Sequence, residues 1–425
     1  MSRFFGVLGI IFIFALAYLM SNNKKKINYK TVGVGFSLQI LLAIFIFKVP
    51  IGEKIFFFIG AFIQKLLVFA TEGGQFVFGA LMRNPHKFDA VFGIGNRIFA
   101  LQLISSCIFM MILVNILYYY GIMQRIVSVL GKAMNKIMKV SGAEALCAVA
   151  NSFVGQIVAQ IMIKPYLAGL TRSELLASMA GSMACTSGAM MPIYIALGIP
   201  AQYVLASAVM AAPGSLVIAK IMYPEDGVPE TGENIKISSE KTHINIFDAI
   251  ASGASEGMQV AINVAAMIIA LVALVAMINW MLGGFGILIY HLFHLSGPIL
   301  GFDFQHLSLK MILGKVFAIF AYLLGVPMKN VTAVGGLMGT KIVLNEFIAY
   351  TDLVAIKATL SPKAFLIASF ALCSFGNFAS IAIQLGGIGE LAPNQRRNLA
   401  ELGLKALICG TLTCYMSAAI AGILF

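Results

Sequence analysis

The chain is expected to be an all-α membrane protein with about eight transmembrane helices, two re-entrant hairpins and an inverted repeat. Three observations predict this. Hydrophobic residues make up 60% of the 425 residues and charged residues 11%, against roughly 25% charged in soluble domains, and the mean hydropathy is +0.94. Apolar runs long enough to cross roughly 30 Å of hydrocarbon recur along the whole chain. One pattern also occurs twice, roughly two hundred residues apart, with polar breaks interrupting apolar segments at matching places. The first copy has Asn151, Ser152 and Phe153, then Thr171, then Cys185, Thr186, Ser187 and Gly188. The second has Asn345, Glu346 and Phe347, then Ser361, then Gly376, Asn377, Phe378, Ala379 and Ser380.

The spanning runs are, in order, Phe4 to Met20, Val32 to Val49, Ile98 to Tyr120, Ala201 to Tyr223, Val260 to Leu282 and Leu404 to Leu424. Less uniform spans lie at Leu175 to Leu197 and Phe365 to Leu385. The N-terminal run is followed at once by a second span without a small-residue cleavage pattern, so it reads as retained rather than as a secretory signal. Four further stretches are too short, too charged or too interrupted to cross simply: Ile55 to Ala70, Ile122 to Lys139, Ala143 to Ile163 and Leu309 to Tyr350. Backbone that neither crosses nor leaves the membrane must be buried or line water. Re-entrant hairpins suit the last two.

A net charge of +12 would suggest nucleic acid in a soluble protein. Here the basic residues concentrate in short loops, at Lys24, Lys25, Lys26 and Lys30, at Arg125, Lys132, Lys136 and Lys139, at Lys164 and Arg172, and at Arg396 and Arg397. The positive-inside bias places those loops in the cytoplasm and, with eight crossings, both termini outside. No nucleic-acid partner is implied. The acidic stretch Pro224 to Asn245 reads as a flexible cytoplasmic linker between the halves. The six cysteines have neither metal-ligand spacing nor a disulfide framework. His291 and His294 share a spacing that suits metal, but interfacial exposure is the simpler reading. No nucleophile with a matching base, metal cluster or phosphate loop is present, which argues against an enzyme or an ATP-driven pump.

Chemistry must then come from polar groups in apolar surroundings. Glu346 sits in an otherwise apolar segment and needs a partner, either Lys341 or a substrate hydroxyl. Asn377 and Ser380, three residues apart, share a helical face. A carboxylate, an amide and a hydroxyl suit a polyol such as a sugar ring, the alternative being helix-helix packing. Gln156 offers both a donor and an acceptor, as a nucleobase requires. The break Cys185 to Gly188 can supply backbone carbonyls to a small cation. Glu144, Lys164, Gln259 and Asn263 read as interface positions or structural hydrogen bonds. Matched breaks of this kind are the pattern of a secondary transporter's binding site.

The order of these motifs resembles the concentrative nucleoside transporters. It is carried by Asn151, Phe153, Val154, Gly155 and Gln156, by Ala211, Ala212, Pro213 and Gly214, by Asn345, Glu346, Phe347, Ala349 and Tyr350, and by Phe375, Asn377, Ser380 and Ile381. The resemblance implies eight membrane helices, two re-entrant hairpins, interfacial helices and a homotrimer in the plasma (inner) membrane, in contact with lipid. It divides the chain into N-terminal scaffold and interfacial helices (1–140), a first repeat with hairpin 1 (141–223) and a cytoplasmic linker (224–245). A scaffold helix with an interfacial segment (246–308) and a second repeat with hairpin 2 (309–425) follow.

It also implies roles. Glu346, Asn377 and Ser380 would hold the ribose, with Phe375 lining the site. The family's first hairpin reads Gly-Gln-Thr/Ser-Glu and addresses the base, whereas this chain has Gly155, Gln156, Ile157 and Val158. Met190 lies where the family often has a smaller side chain. Those departures point to modified or atypical nucleosides. The sodium site would map to Asn151, Val154, Cys185 and Thr186, although sulfur at Cys185 suits sodium poorly, so the coupling ion is sodium or a proton. No cofactor is implied. The expected function is cation-coupled nucleoside uptake by alternating access, the alternative being an uncoupled channel or membrane sensor on the same scaffold.

Overall fold

The computed structural model describes residues 2–83, 99–188, 190–231, 243–293, 297 and 303–425, and among these every regular element is helical. The N-terminal part contains α1 (Ser2–Leu19), α2 (Tyr29–Lys48), α3 (Pro50–Phe78), α4 (Phe99–Tyr119) and α5 (Ile122–Met138). Local chemistry fixes several of the starts. Asn28 caps α2 by accepting from the Lys30 and Thr31 amides at 3.1 and 3.2 Å, and Pro50 stands in the first turn of α3, where a missing N–H is harmless. Gly121 enters α5 at φ 70°, a left-handed angle that glycine adopts without a Cβ penalty. Along α5, Met123, Val127, Gly131, Met134 and Met138 form one buried stripe, while Ile122, Ile126, Val129 and Ile137 stay exposed. That is the amphipathic pattern of a helix lying across a packed surface.

The first repeat comprises α6 (Gly142–Val154), α7 (Val158–Met162), α8 (Arg172–Ala184), α9 (Met191–Leu197) and α10 (Ala201–Met222). Then comes α11 (Ile246–Leu292), 47 residues long, or about 70 Å at 1.5 Å per residue. The second half contains α12 (Leu309–Leu323), α13 (Val331–Val343), α14 (Glu346–Ala355), α15 (Pro362–Leu372), α16 (Phe378–Leu391) and α17 (Arg396–Leu424). The two halves therefore share one order: a helix broken by a few residues, a second broken helix, and a long unbroken one. Matched capping chemistry underlies it. Thr171 accepts from the Glu174 amide at 3.1 Å to open α8, and Ser361 accepts from the Ala364 amide at 3.3 Å to open α15. The long α10 and α17 lie in the interior, where small residues let neighbours approach closely. At Gly410 a Cβ would come within 2.7 Å of Met183 Cβ.

Among the described residues, six helices are long and apolar enough to cross a membrane. Five coincide with expected spans, the expected spans at 175–197 and 365–385 are the two broken helices, and the expected span Phe4 to Met20 falls among the shorter apolar helices. The sixth is α3, whose core, Ile55 to Ala70, is among the stretches the sequence marks as too short, too charged or too interrupted to cross simply. Its helix extends from Pro50 through Phe78, which brings in apolar turns on either side of Lys65 and Glu72. A second difference concerns hairpin 2. The stretch 309–350 is not one hairpin: Gly325, at φ 87°, and Pro327 end α12, and the helix-break-helix unit is α13 with α14. Helix α12 packs along α13 at glycines, a Cβ on Gly335 falling 2.7 Å from the Ala318 backbone nitrogen.

The start of the acidic linker is also less free than its composition suggests. Glu225 accepts from Thr171 Oγ1 at 3.0 Å, and Thr231 Oγ1 accepts from the Ala143 amide at 3.2 Å, strapping this segment to the base of α6. Residues 232–242 and His294 lie outside the described residues.

Candidate functional site

The break in the second repeat is created by two asparagines. Asn345 Oδ1 accepts from the Ile348 amide at 2.9 Å, and Asn377 Oδ1 accepts from the Ser380 amide at 3.0 Å. Each thereby caps a new helix, α14 or α16. Glu346 is the first residue of α14, where the helix dipole favours a negative charge. Its Oε1 accepts from the Tyr194 hydroxyl at 3.0 Å and its Oε2 from Asn377 Nδ2 at 3.2 Å. Asn377 thus caps one helix and holds the first residue of another. Ser380 Oγ donates to the Phe375 carbonyl and lies 3.2 Å from Asn377 Oδ1. Glu346, Asn377 and Ser380 are all buried, and Phe375 is half-buried beside them.

Lys341, one expected partner of Glu346, does not fill that role. Its Nζ has no hydrogen-bond partner, and the carboxylate is held by two neutral donors instead. Tyr194 is the group that sequence reasoning missed. It comes from α9 in the first repeat, and its ring packs on Tyr350 at 4.7 Å between centroids, while the Tyr350 hydroxyl donates to the Ser369 carbonyl at 2.7 Å. A tyrosine in an apolar helix directly after a break was the available signal, because a buried hydroxyl requires a partner.

In the first repeat, α6 ends at Gly155, φ 91°, where a Cβ would lie 2.8 Å from Ser187 Cβ. The Gly188 amide donates to the Phe153 carbonyl at 3.0 Å, which fastens the tip of hairpin 1 to the first break. Asn151 Oδ1 accepts from Ser182 Oγ at 2.9 Å. Ser152 Oγ lies 3.6 Å from Cys185 Sγ. Thr186 Oγ1 is engaged with Cys373 Sγ at 3.5 Å, across the repeats. Val154 is the last residue of α6, among the carbonyls that have no intrahelical partner. Gln160, not singled out beforehand, is fully buried and binds Ser178 and Ser182 at 2.6 and 3.1 Å.

The residues expected at a base are distributed around the hairpin tip. Gln156 Oε1 is buried without a protein partner. Ile157 packs on α16, its Cδ1 2.3 Å from where a Cβ on Gly387 would stand. Val158 remains 39% exposed and Met190 is buried at 8%. Of the other polar groups, Glu144 is the acceptor of a buried ion pair with Lys220 at 2.9 Å, whereas Gln259 and Asn263 pair with each other on exposed α11 at 2.9 Å.

Besides the contact of Thr186 with Cys373, a backbone bond joins the two breaks directly: the Phe375 amide donates to the Cys185 carbonyl at 3.1 Å. A chain of contacts therefore runs from Cys185 through Phe375, Ser380, Asn377 and Glu346 to Tyr194, entering and leaving the first repeat. A carboxylate has about four lone-pair sites, and two of those on Glu346 are used by protein. The remainder can accept ligand hydroxyls.

The sequence matches the family model for the C-terminus of Na+ dependent nucleoside transporters over residues 203–422 and that for their N-terminus over residues 8–81. A third model, for a nucleoside-recognition gate, matches residues 100–201. The chain is 40% identical over 424 residues to an uncharacterized transporter, YutK, of Bacillus subtilis, covering 99% of each. It is 37% identical over 427 residues to the nucleoside permease NupC of Helicobacter pylori, covering 99% of this chain and 98% of that one. Its fold is similar to that of CNTnw in an inward-facing substrate-bound state, with a TM-score of 0.91, 37% identity, and coverage of 100% and 98%. Broken helices meeting around Glu346, matched along the whole chain by these relatives, establish that the protein belongs to the concentrative, Na+-dependent nucleoside transporter family of multi-pass membrane proteins.

Proposed function

We propose that the protein takes up nucleosides together with a cation by alternating access, with the ribose held between the repeats by Glu346, Asn377 and Ser380 beside Phe375. The observation that carries this is the Glu346 carboxylate, buried, held by one donor from each repeat and left with free acceptor capacity. A sugar diol supplies the donors that such a carboxylate lacks. Gln156, Ile157, Val158 and Met190 form the base side of the site. With two aliphatic side chains there, polar base edges lose partners, and a modified or more apolar base is favoured. Membership of a Na+-dependent family sets aside an uncoupled channel or sensor.

The coupling ion is assigned to sodium at Asn151, Val154, Cys185 and Thr186. The oxygen donors available are Asn151 Oδ1, the orphan carbonyls at the end of α6 and the carbonyls of the first break; Cys185 contributes through its carbonyl edge of the break rather than as a hard side-chain ligand. The working unit is a homotrimer in the plasma membrane. The long α11, largely exposed in a single copy, supplies apolar surface to neighbouring copies and lipid.

Uptake of radiolabelled nucleosides into proteoliposomes tests the reading. Glu346→Gln should lower uptake of the best ribonucleoside at least tenfold, about 1.4 kcal/mol or more, and 3′-deoxy analogues should compete poorly. Free bases competing as well as nucleosides would remove the sugar from the assignment.

A further inference from the structure

Two lysines are buried among the described residues, and they are treated very differently. Lys220 is matched by Glu144 at 2.9 Å, by Ser173 at 2.9 Å and by Glu225 at 3.2 Å. Lys341 is completely buried, yet its Nζ has no hydrogen-bond partner, and the carboxylate whose charge reaches it, that of Glu346, makes no direct bond to it. An ammonium without partners in a dry interior is strongly unfavourable unless something answers its charge.

What surrounds it is the second break. A Cβ built on Gly376 would stand 3.1 Å from Lys341 Nζ, 3.2 Å from the Met183 carbonyl oxygen and 3.3 Å from Thr411 Oγ1. Those three groups therefore converge on a space that only glycine leaves open. Met183 is the penultimate residue of α8, so its carbonyl is one of the four with no partner inside that helix and carries part of the dipole's negative end. Thr411 Oγ1 is buried and without a partner, as is Ser374 Oγ in the same break. A helix C-terminus and unpartnered hydroxyl oxygens are the surroundings that suit a monovalent cation.

The position within the repeat carries the argument further. Helices α6 and α13 are each 13 residues long, and aligned on their C-terminal ends, rather than on the match of Asn151 with Asn345, they place Lys341 where Ser152 stands, two residues before the last. Ser152 is next to Asn151 and lies against Cys185 in the first break. The ammonium of Lys341 is thus delivered to the second break by the same arm that, in the first repeat, brings Asn151 to the first.

We propose that Lys341 is a tethered cation, doing permanently for the second repeat what a mobile coupling ion does for the first, so that one mobile cation moves per nucleoside. This rests on the ion-coupled reading above. The charged side chain ties α13 to the C-terminal end of α8 across the second break, beside Asn377 and the ribose side of the site, and it denies that position to a second ion.

The test measures charge moved per nucleoside, together with ion dependence, in proteoliposomes of the full chain and of Lys341→Arg, Lys341→Gln and Lys341→Met. The native protein should move one charge per nucleoside with hyperbolic ion dependence. A native protein with no ion dependence defeats the coupled reading itself, and a native ratio of two defeats the tethered cation alone. The Gln and Met variants should either lose at least tenfold in uptake or, where an ion enters the vacated place, become sigmoidal in ion and move two charges. Either variant keeping the native rate with one charge overturns the proposal. If both neutral variants fail to fold, folding and uptake by the Arg variant support the charge requirement, whereas failure of all three makes Lys341 a packing residue and ends the proposal.

Discussion

Tyr194 separates what a single residue does from what its neighbourhood does. Its hydroxyl is one of two protein donors to Glu346, while its ring is fixed independently against Tyr350. Tyr194→Phe should therefore leave the packing in place and release one carboxylate oxygen. The loss of a bond to a charged group, about 1.5 to 3 kcal/mol, should weaken nucleoside binding roughly ten- to more than a hundredfold, read by calorimetry, with a lower melting temperature from the carboxylate oxygen left unpaired. Unaltered affinity would show that Asn377 alone positions the carboxylate. Glu346, Asn377 and Ser380 were legible in the sequence because polar side chains in an apolar run must answer to one another or to a ligand. Tyr194 was not, since a tyrosine in a membrane helix is equally at home at an interface, and its partner lies 152 residues away. For the same reason the sequence offered Lys341 as a counter-ion to Glu346. Charge suggests pairing, and only the fold shows that the lysine stands against Gly376 in the second break without a hydrogen bond to Glu346.

At the scale of elements, the tip of hairpin 1 carries Ile157 and Val158 where the family resemblance leads one to expect a hydroxyl and a carboxylate. Ile157 is wedged against Gly387 on α16, so this apolar side chain is built into a contact between the two repeats. Changing Ile157→Thr with Val158→Glu restores a hydroxyl and a carboxylate at the base side. Gaining or losing a buried polar partner shifts specificity by about 1 to 3 kcal/mol. Preference should accordingly move toward common nucleosides such as uridine, by competition assay, roughly five- to more than a hundredfold. Tight uridine binding by the unmodified protein would mean that other groups read the base. The breaks themselves were legible, since Asn and Ser/Thr caps announce new helices. The extent of hairpin 2 was not. Apolar periodicity runs on through α12 into α13, and the stop at Gly325 and Pro327 is short enough to be read as part of a hairpin turn. The length of α3 was hidden by its few charges, which an otherwise apolar helix of 29 residues accommodates.

Across the whole molecule, polar contacts join the repeats at several points, and one buried charge of the interior is answered by a charge of opposite sign. Lys220 and Glu144 form such a pair at the base of hairpin 1. Lys220→Met leaves that carboxylate buried and alone and should lower stability by about 3 to 5 kcal/mol, seen as a fall in melting temperature. Adding Glu144→Gln removes the stranded charge while retaining an oxygen for the capping box with Ser141, and most of the loss should return. A single variant as stable as the native chain would show that the Ser141 amide and water suffice for the Glu144 carboxylate. The broad architecture was legible from composition and the repeated breaks, whereas the bond between the Phe375 amide and the Cys185 carbonyl lies beyond any local pattern. That junction also makes the native chain its own reporter. All six cysteines are buried and unpaired, and Cys185 and Cys373 sit at the two breaks. Alkylation of either thiol has to wait for a transient opening, so its rate measures how often the junction parts. Peptide mass spectrometry after a small membrane-permeant maleimide should find both sites labelled far more slowly than in denaturant, and more slowly still with nucleoside bound. The molecule thus carries two chemical stopwatches at its centre, readable without engineering a single residue, and a nucleoside that left both rates unchanged would not be passing through the junction at all.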